Sequence, residues 1–440
     1  MKIIGLQPFL VFSIVLLSNV SCWGITNDLF QDSIQDGPTV SLVNDNFKRL
    51  GQGKLDLRPG DIIPKRDNVS NLGSTDFWWN SLYVSTITVT NIVMDSPFSM
   101  RNRIINGDMR INQRNPSGTY TINTAAGSLT LDRWEGDGQN TDGVFTVKRS
   151  TVLAPASEGF THCLVSSITT TDASIGASQV YIIRQKIEGL NIGGLAFGTS
   201  GAKSITLSFW VHSTLTGTFG GVFQNSGSAR SYPFTYTINS ANTWEKKTIT
   251  AAGDTSGTWL TDTGIGLTVI FSLGAGSSVT GTPGAWATAV YWGATGQTNV
   301  IGTSNATLLL TGVQVEEGTV ATPFERRLFG LELSLSQRYY EKSYNLETTT
   351  GTATTTGRFF GSRQNGTFVA PVTFVVRKRI APTMTMWSDA TGTVGRVRNQ
   401  ASSADETAGS EVNEYSANIN GTTATVGHGI TFQWSADAEL

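Results

Sequence analysis

Between residues 204 and 224 the chain reads SITLSFWVHSTLTGTFGGVFQ, apolar and polar side chains alternating for one strand length and, after a turn, again. A period of two sends alternate side chains to opposite faces, so such a run is stable only as a strand with one buried face. The runs TWEKKTITAAG, GIGLTVIFSLG and TLLLTGVQVEEG repeat the pattern or are apolar throughout, with Gly, Ser and Asn between them. Sheets of this kind must cover their apolar faces with one another. Residues 101–327 therefore read as one large β-sandwich, with Ile205, Leu207, Phe209, Leu267, Val269, Phe271, Leu308 and Leu310 pointing inward.

The surface of such a sandwich is polar but sparsely charged. Charged residues are 15% of the chain, against roughly a quarter in an average globular protein, and 48 glycines help fill the gap. With a net charge of −2 and basic clusters no longer than FERR and VRKR, nothing here would track a polyanion, and nucleic acid is excluded as a partner. Two cysteines, Cys22 and Cys163, give neither a disulfide framework nor a cysteine-built zinc site. His162 and Cys163 read as ordinary sandwich residues.

The remainder divides in line. Residues 1–24 have the layout of a secretory signal, with Lys2 ahead of an apolar stretch and small residues. Residues 25–66 form an attachment segment in which Val40, Val43 and Phe47 would share one helical face. Residues 67–100 form a β stalk with Trp78 and Trp79, then alternating Leu82, Val84, Ile87, Val89 and Ile92. In ATPFERRLFGLELSLSQRYYEKSY, residues 321–344, Leu328, Leu331, Leu335 and Tyr339 recur at helical spacing, and 328–344 is expected as the one connecting helix. Residues 345–440 return to short strands and form a small C-terminal β domain.

Catalytic chemistry finds little support. Glycoside hydrolysis needs two carboxylates about 5–10 Å apart. The candidates all have local readings: of Asp132 and Glu135 beside Trp134, Asp132 pairs with Arg133 or caps a turn; Glu316 and Glu317 lie at a strand end, where one faces inward only if paired; and Asp405 and Glu406 fall in a solvated loop. No G-x-S-x-G serine, phosphate loop, histidine pair or long β-helical repeat is present, and no cofactor or metal is implied. The chain reads as a non-enzyme. Binding a sugar asks instead for hydroxyl partners and flat aromatic faces. Trp134, Trp210 and Trp292 lie in strand-like runs and are expected in the core. Trp259 and Trp286 lie among turn residues, and Trp387 and Tyr415 border polar loops. Arg396, Arg398 and Asn399 would hydrogen-bond a glycan, although the two arginines also fit a solvated strand face.

Three stretches together resemble bacteriophage tail-fibre or receptor-binding proteins: NLGSTDFWWNSLYVSTITV, then RNRIINGDMRINQRN with LTLDRWEGDG, then TGVQVEEGTVATPFERRLFGLELSLSQRYYEKS. The terminal WSADAEL fits the same group, and the resemblance spans about 69–440. It implies an elongated homotrimer with a jelly-roll-like head and a distal β tip. Such a virion protein, held by other tail proteins, would attach to a bacterial surface polysaccharide or receptor. In that case Leu328, Leu331 and Leu335 would face either neighbouring subunits or their own sandwich. A signal-like start departs from the pattern and keeps a secreted glycan-binding protein open, beside a spacer or baseplate component.

Overall fold

The chain divides into two compact units, Met1–Ile92 and Val93–Leu440. The computed structural model describes residues 55–58, 61–64, 100–123, 128–139, 142–364, 367–407, 409–420 and 429–440. The signal-like segment, the helix expected around Val43 and the stalk strand of 82–92 lie outside the described residues. In the first unit β1 (Leu55–Arg58) and β2 (Asp61–Pro64) form an antiparallel hairpin.

The second unit opens with β3 (Thr119–Ile122), β4 (Ser128–Leu129), β5 (Trp134–Gln139), β6 (Val144–Ser150), β7 (Cys163–Thr170) and β8 (Val180–Glu188). There follow β9 (Ile205–Ser213), β10 (Gly217–Gln224), β11 (Ser231–Ile238), β12 (Glu245–Ala251) and β13 (Ile265–Ala275). The short pair β14 (Thr280–Gly281) and β15 (Gly293–Ala294) precedes β16 (Thr307–Glu317). Two six-stranded sheets result, ordered β4-β5-β8-β13-β10-β11 and β3-β6-β7-β16-β9-β12.

The inward positions expected from alternation, on β9, β13 and β16, all lie in one buried core. Phe209 of one sheet meets Phe271 of the other edge-on at 5.0 Å. Each such side chain contributes about 1.5–3 kcal/mol of burial. Trp134 belongs to this core, whereas Trp210 and Trp292 are only half-buried. Trp292, at a bend just before β15, packs over Ile182, Val222 and Ile270 of β8, β10 and β13, with Arg184 5.7 Å from its ring.

A bulge in β16 between Thr311 and Gln314 turns on Gly312, whose φ is 60° and where a Cβ would come within 2.5 Å of the Phe160 ring, leaving no room for a side chain. The bulge exposes backbone groups that Asn102 completes, donating to Val313 O (3.1 Å) and accepting from Val315 N (3.0 Å). The RNRIINGDMR stretch is thereby strapped to the last strand of the sandwich.

The connecting helix differs from the one expected. It runs only over Phe329–Gln337, here α1, and its buried residues are Glu332 and Ser336 rather than the leucines. Leu328 is 83% exposed and Leu331 43%. The Glu332 carboxylate decides the orientation by accepting the Asn106 backbone N–H and Arg327 Nη1, the latter at 3.3 Å. Burial raises its pKa, although Arg327 and the Asn106 N–H oppose the shift. Leu328 and Leu331 therefore do not form the buried face of the helix.

The helix leads into a third sheet. Its members are β17 (Tyr340–Lys342), β18 (Phe359–Gln364), β19 (Thr367–Thr373), β20 (Thr383–Trp387), β21 (Arg396–Asn399), β22 (Asp405–Thr407), β23 (Gly409–Val412), β24 (Ser416–Asn420) and β25 (Gly429–Asp437). β25 is the hub, pairing β18 and β21 through its first half and β17 and β20 through its second. Phe432, Trp434 and Ala436 of β25, with Met386, Val372 and Ile419, form a separate core. Asp405 and Glu406, expected in a solvated loop, are strand residues instead: β22 pairs β21, Asp405 accepts from Ser388 (2.8 Å), and Glu406 accepts from Asn399 (2.8 Å).

Candidate functional site

β25 lies between β20 and β17, with Asp437 opposite both Thr383 and Tyr340, and Ser435 opposite both Thr385 and Lys342. Alternation then sorts the side chains. Met384, Met386, Trp434 and Ala436 turn to the core. The other face presents the hydroxyls of Thr383, Thr385 and Ser435, the Asp437 carboxylate and the rings of Trp387 and Tyr340. They line a cavity of about 550 Å³.

Arg114, from the strap before β3, forms part of its wall. Its guanidinium lies 3.8 Å from the Tyr340 ring centre and pairs with Asp437 (2.5 Å) and Glu439 (3.5 Å). Burial works against the arginine charge, but Asp437 and Glu439 outweigh it and hold the pKa above the ordinary arginine value. Glu439 also pairs with Arg133, which stacks on Tyr339 at 3.5 Å. Both carboxylates of the cleft are thus held by guanidinium partners.

One buried ammonium fixes another wall. Lys342 Nζ donates to the carbonyls of Gln113 (2.5 Å), Leu346 (2.9 Å) and Thr348 (2.6 Å), tying the loop after β17 to the strap that carries Arg114. Burial pulls its pKa down to about 8, against the opposing pull of Asp132 and Glu347. Asp132 itself accepts Gln113 N (2.7 Å) and Gln113 Nε2 (2.5 Å), not the neighbouring Arg133 as expected, and burial raises its pKa. The paired expectation for Glu316 holds: it is buried and bridged to Arg101 at 3.2 Å.

The residues expected to touch a glycan are scattered. Trp387 alone lines the cleft, with Tyr344 edge-on at 6.0 Å. Trp259, expected to be exposed, is 8% exposed and packs edge-on against Trp286 (5.3 Å) and Phe197 (4.7 Å). Trp286 is half-buried. Each indole N–H is satisfied by a loop carbonyl, Ser256 for Trp259 (3.1 Å) and Ala252 for Trp286 (2.7 Å), so the pair closes one end of the sandwich. Asn399 is buried, and its side-chain oxygen accepts Ala401 N (2.9 Å) and Ser402 N (3.1 Å), which shapes the turn after β21.

Arg398 faces Asp405 at 3.4 Å, and exposed Arg396 donates to the Thr407 hydroxyl at 2.6 Å, both reaching across to β22. Tyr415 is 57% exposed and lies 4.8 Å from the Arg377 guanidinium. Residues that sequence reasoning missed are Arg114, Tyr340, Thr383, Thr385, Ser435 and Asp437. The Thr383–Thr385–Trp387 alternation was there to be read; the others meet it only through strand pairing.

Among the described residues no group of three or more His, Cys, Asp or Glu is placed to hold a metal ion. Cys163 is fully buried, which pushes its thiol pKa up to about 12 and leaves it without thiolate character.

No protein-family model and no curated protein sequence matches the chain. Among solved structures it is similar to the enzymatically active domain of tailspike protein 4 of bacteriophage CBA120, at 12% identity and a TM-score of 0.27 over 50% of this chain and 22% of that one. It is also similar to a family 4 carbohydrate-binding module, at 12% identity and 0.24 over 48% and 98%. A family 11 carbohydrate-binding module of a Clostridium thermocellum cellulosomal cellulase gives 11% and 0.24 over 45% and 99%. The chain thus spans about a fifth of the tailspike domain's length. These likenesses are distant and say nothing of what this chain binds.

Proposed function

We propose that the protein is a non-catalytic, tail-fibre-like adhesin that binds a bacterial surface polysaccharide through the cleft on β17, β25 and β20. The observation that carries this reading is the cleft itself: the Trp387 ring, the hydroxyls of Thr350, Thr383, Thr385 and Ser435 and an Arg–carboxylate pair converge in about 550 Å³, while the Tyr340 ring is buried beneath Arg114. Rings suit the C–H faces of a sugar, and hydroxyls and fixed charges suit its OH groups. Binding without hydrolysis is supported by the commitment of Asp437 and Glu439 to Arg114 and Arg133, which leaves neither carboxylate poised as acid or nucleophile.

The reading includes a homotrimer held in the virion by other tail proteins. Exposed Leu328, Phe329 and Leu331 at the start of α1 support an interface between subunits there. Three copies of a weak site give avidity, so millimolar affinity at each would suffice. The test is adsorption of labelled full-length protein to strains that differ in surface polysaccharide. Binding to some strains only, competed by their purified polysaccharide, is the expected result. Folded protein that adsorbs to none would favour a virion spacer. The signal-like residues 1–24 favour a second reading, an exported glycan-binding protein. N-terminal sequencing of the mature chain separates the two, since a start near Ile25 would mean export.

A further inference from the structure

The segment 379–381 serves two cavities. Ile380 and Ala381 line the glycan cleft, whereas Arg379 lines a second cavity of about 380 Å³. Three guanidiniums, of Arg338, Arg377 and Arg379, meet there with only two carboxylates, Glu188 and Glu414. Exposed Leu190 supplies an apolar wall.

The charges are unequally matched. Glu188 is fully engaged, accepting Arg338 at 2.9 and 2.6 Å and the Tyr339 hydroxyl at 2.6 Å. Glu414 takes Arg377 Nε at 2.7 Å, but Arg377 is more than half exposed and Glu414 about a third, so this pair is open to water and competition. Arg379 is buried and has no ion pair among the described residues. Its Nε, Nη1 and Nη2 donate to the carbonyls of Ala438 (2.8 Å), Thr263 (2.7 Å) and Glu439 (2.6 Å). Carbonyls satisfy hydrogens without cancelling charge, and a guanidinium has N–H donors beyond the three used here. Glu188 and Glu439 act on Arg379 only from beyond ion-pair distance, so one guanidinium of this cavity has no carboxylate partner of its own.

We infer that this second cavity takes an anionic sugar residue, carboxylate- or phosphate-bearing, of the same polysaccharide whose uncharged residue occupies the cleft. This rests on the glycan reading above. The two cavities share the 379–381 ridge, which places an acidic unit close along the chain from the unit in the cleft. Arg377 and Arg379 hold the anion, with Leu190 against the ring.

The experiment is a saturation-transfer NMR titration of the full-length protein with methyl glucuronoside, glucose 6-phosphate and methyl glucoside. Wild type, Arg377→Gln, Glu414→Gln and Trp387→Ala are compared. The anionic sugars should bind at least roughly tenfold tighter than the glucoside, as expected of charge-assisted hydrogen bonds. Which anion binds tighter identifies the group read.

Arg377→Gln should weaken them about tenfold. Glu414→Gln should tighten them several-fold by removing the competing carboxylate, a gain that damaged folding would not produce. Trp387→Ala should leave them unchanged. Anionic sugars bound no tighter than the glucoside, or insensitive to both Arg377→Gln and Glu414→Gln, would overturn the inference. If the intact polysaccharide is then still bound through Trp387, the glycan reading survives alone; if it is not bound either, both fall.

Discussion

Lys378 is fully buried, and its ammonium donates to the buried Glu341 carboxylate and to Gln337 O at 2.5 Å. Burial drives its pKa down, while Glu341 opposes the shift. Glu341 lies on β17 between Tyr340 and Lys342, both of which build the cleft, and it also accepts Val375 N at 3.0 Å. Lys378→Met keeps the volume but strands a buried carboxylate, which should cost about 3–5 kcal/mol. Replacing both charges, Lys378→Met with Glu341→Leu, removes the stranded charge and should cost far less, near neutral to about 2 kcal/mol with the Val375 N–H left unpaired. Urea unfolding followed by tryptophan fluorescence reads these two variants and the single Glu341→Leu. A Lys378→Met loss below about 1 kcal/mol, or a double variant that loses the sum of the singles, would refute the argument.

Three further outcomes are expected. Glu245 is raised by partial burial but lowered more by hydrogen bonds from Lys247, Ser240 and Asn239, to about 2. Its folded pKa is depressed, so its stabilisation is complete above the ordinary carboxylate pKa and lost as pH falls towards 2. Glu245→Gln should cost about 1 kcal/mol at neutral pH after solvent screening and nothing near pH 2, read from urea midpoints. Lys342, held near 8 by burial, keeps its proton longer when unfolded, so stability should rise with pH from about 8 to the ordinary lysine range. Lys342→Met should abolish that rise; a wild-type curve falling over the same window would contradict it. Leu328→Glu with Leu331→Glu should sediment as a monomer where the wild type sediments as a trimer. A monomeric wild type would remove the proposed interface.

The sandwich is legible because its strands are alternating or apolar runs of strand length: 205–213 alternates, while 265–275 and 307–317 are apolar throughout and are buried on both faces. Trp259 misled because Gly and Ser beside it mark a loop but cannot show that a second loop, carrying Trp286, stacks on it. The helix misled for a related reason. The leucine spacing between 328 and 335 is helical, yet the buried face is chosen by Glu332, whose partner Asn106 lies more than two hundred positions earlier. The hairpin of 55–64 has only half a signal: Leu55 and Leu57 alternate before the Pro59-Gly60 turn, but Ile62 and Ile63 are adjacent after it. In the cleft, Thr383, Thr385 and Trp387 are local. Tyr340, Ser435, Asp437 and Arg114 join them only because β25 pairs on both edges and the strap before β3 folds back, and neither leaves a mark in the nearby sequence.

The most direct measurement is calorimetric titration of the full-length chain, and of Trp387→Ala and Thr385→Val, with purified polysaccharide from a strain to which the wild type adsorbs. Trp387 lies in the wall of the cleft, and losing a central ring of this kind should cost about 2 kcal/mol, roughly thirtyfold in affinity. Thr385→Val keeps the shape and removes one hydroxyl, so it should weaken binding several-fold with unfolding unchanged. Wild-type affinity in both folded variants would contradict the account, because the polysaccharide would then be read somewhere other than the face of β17, β25 and β20.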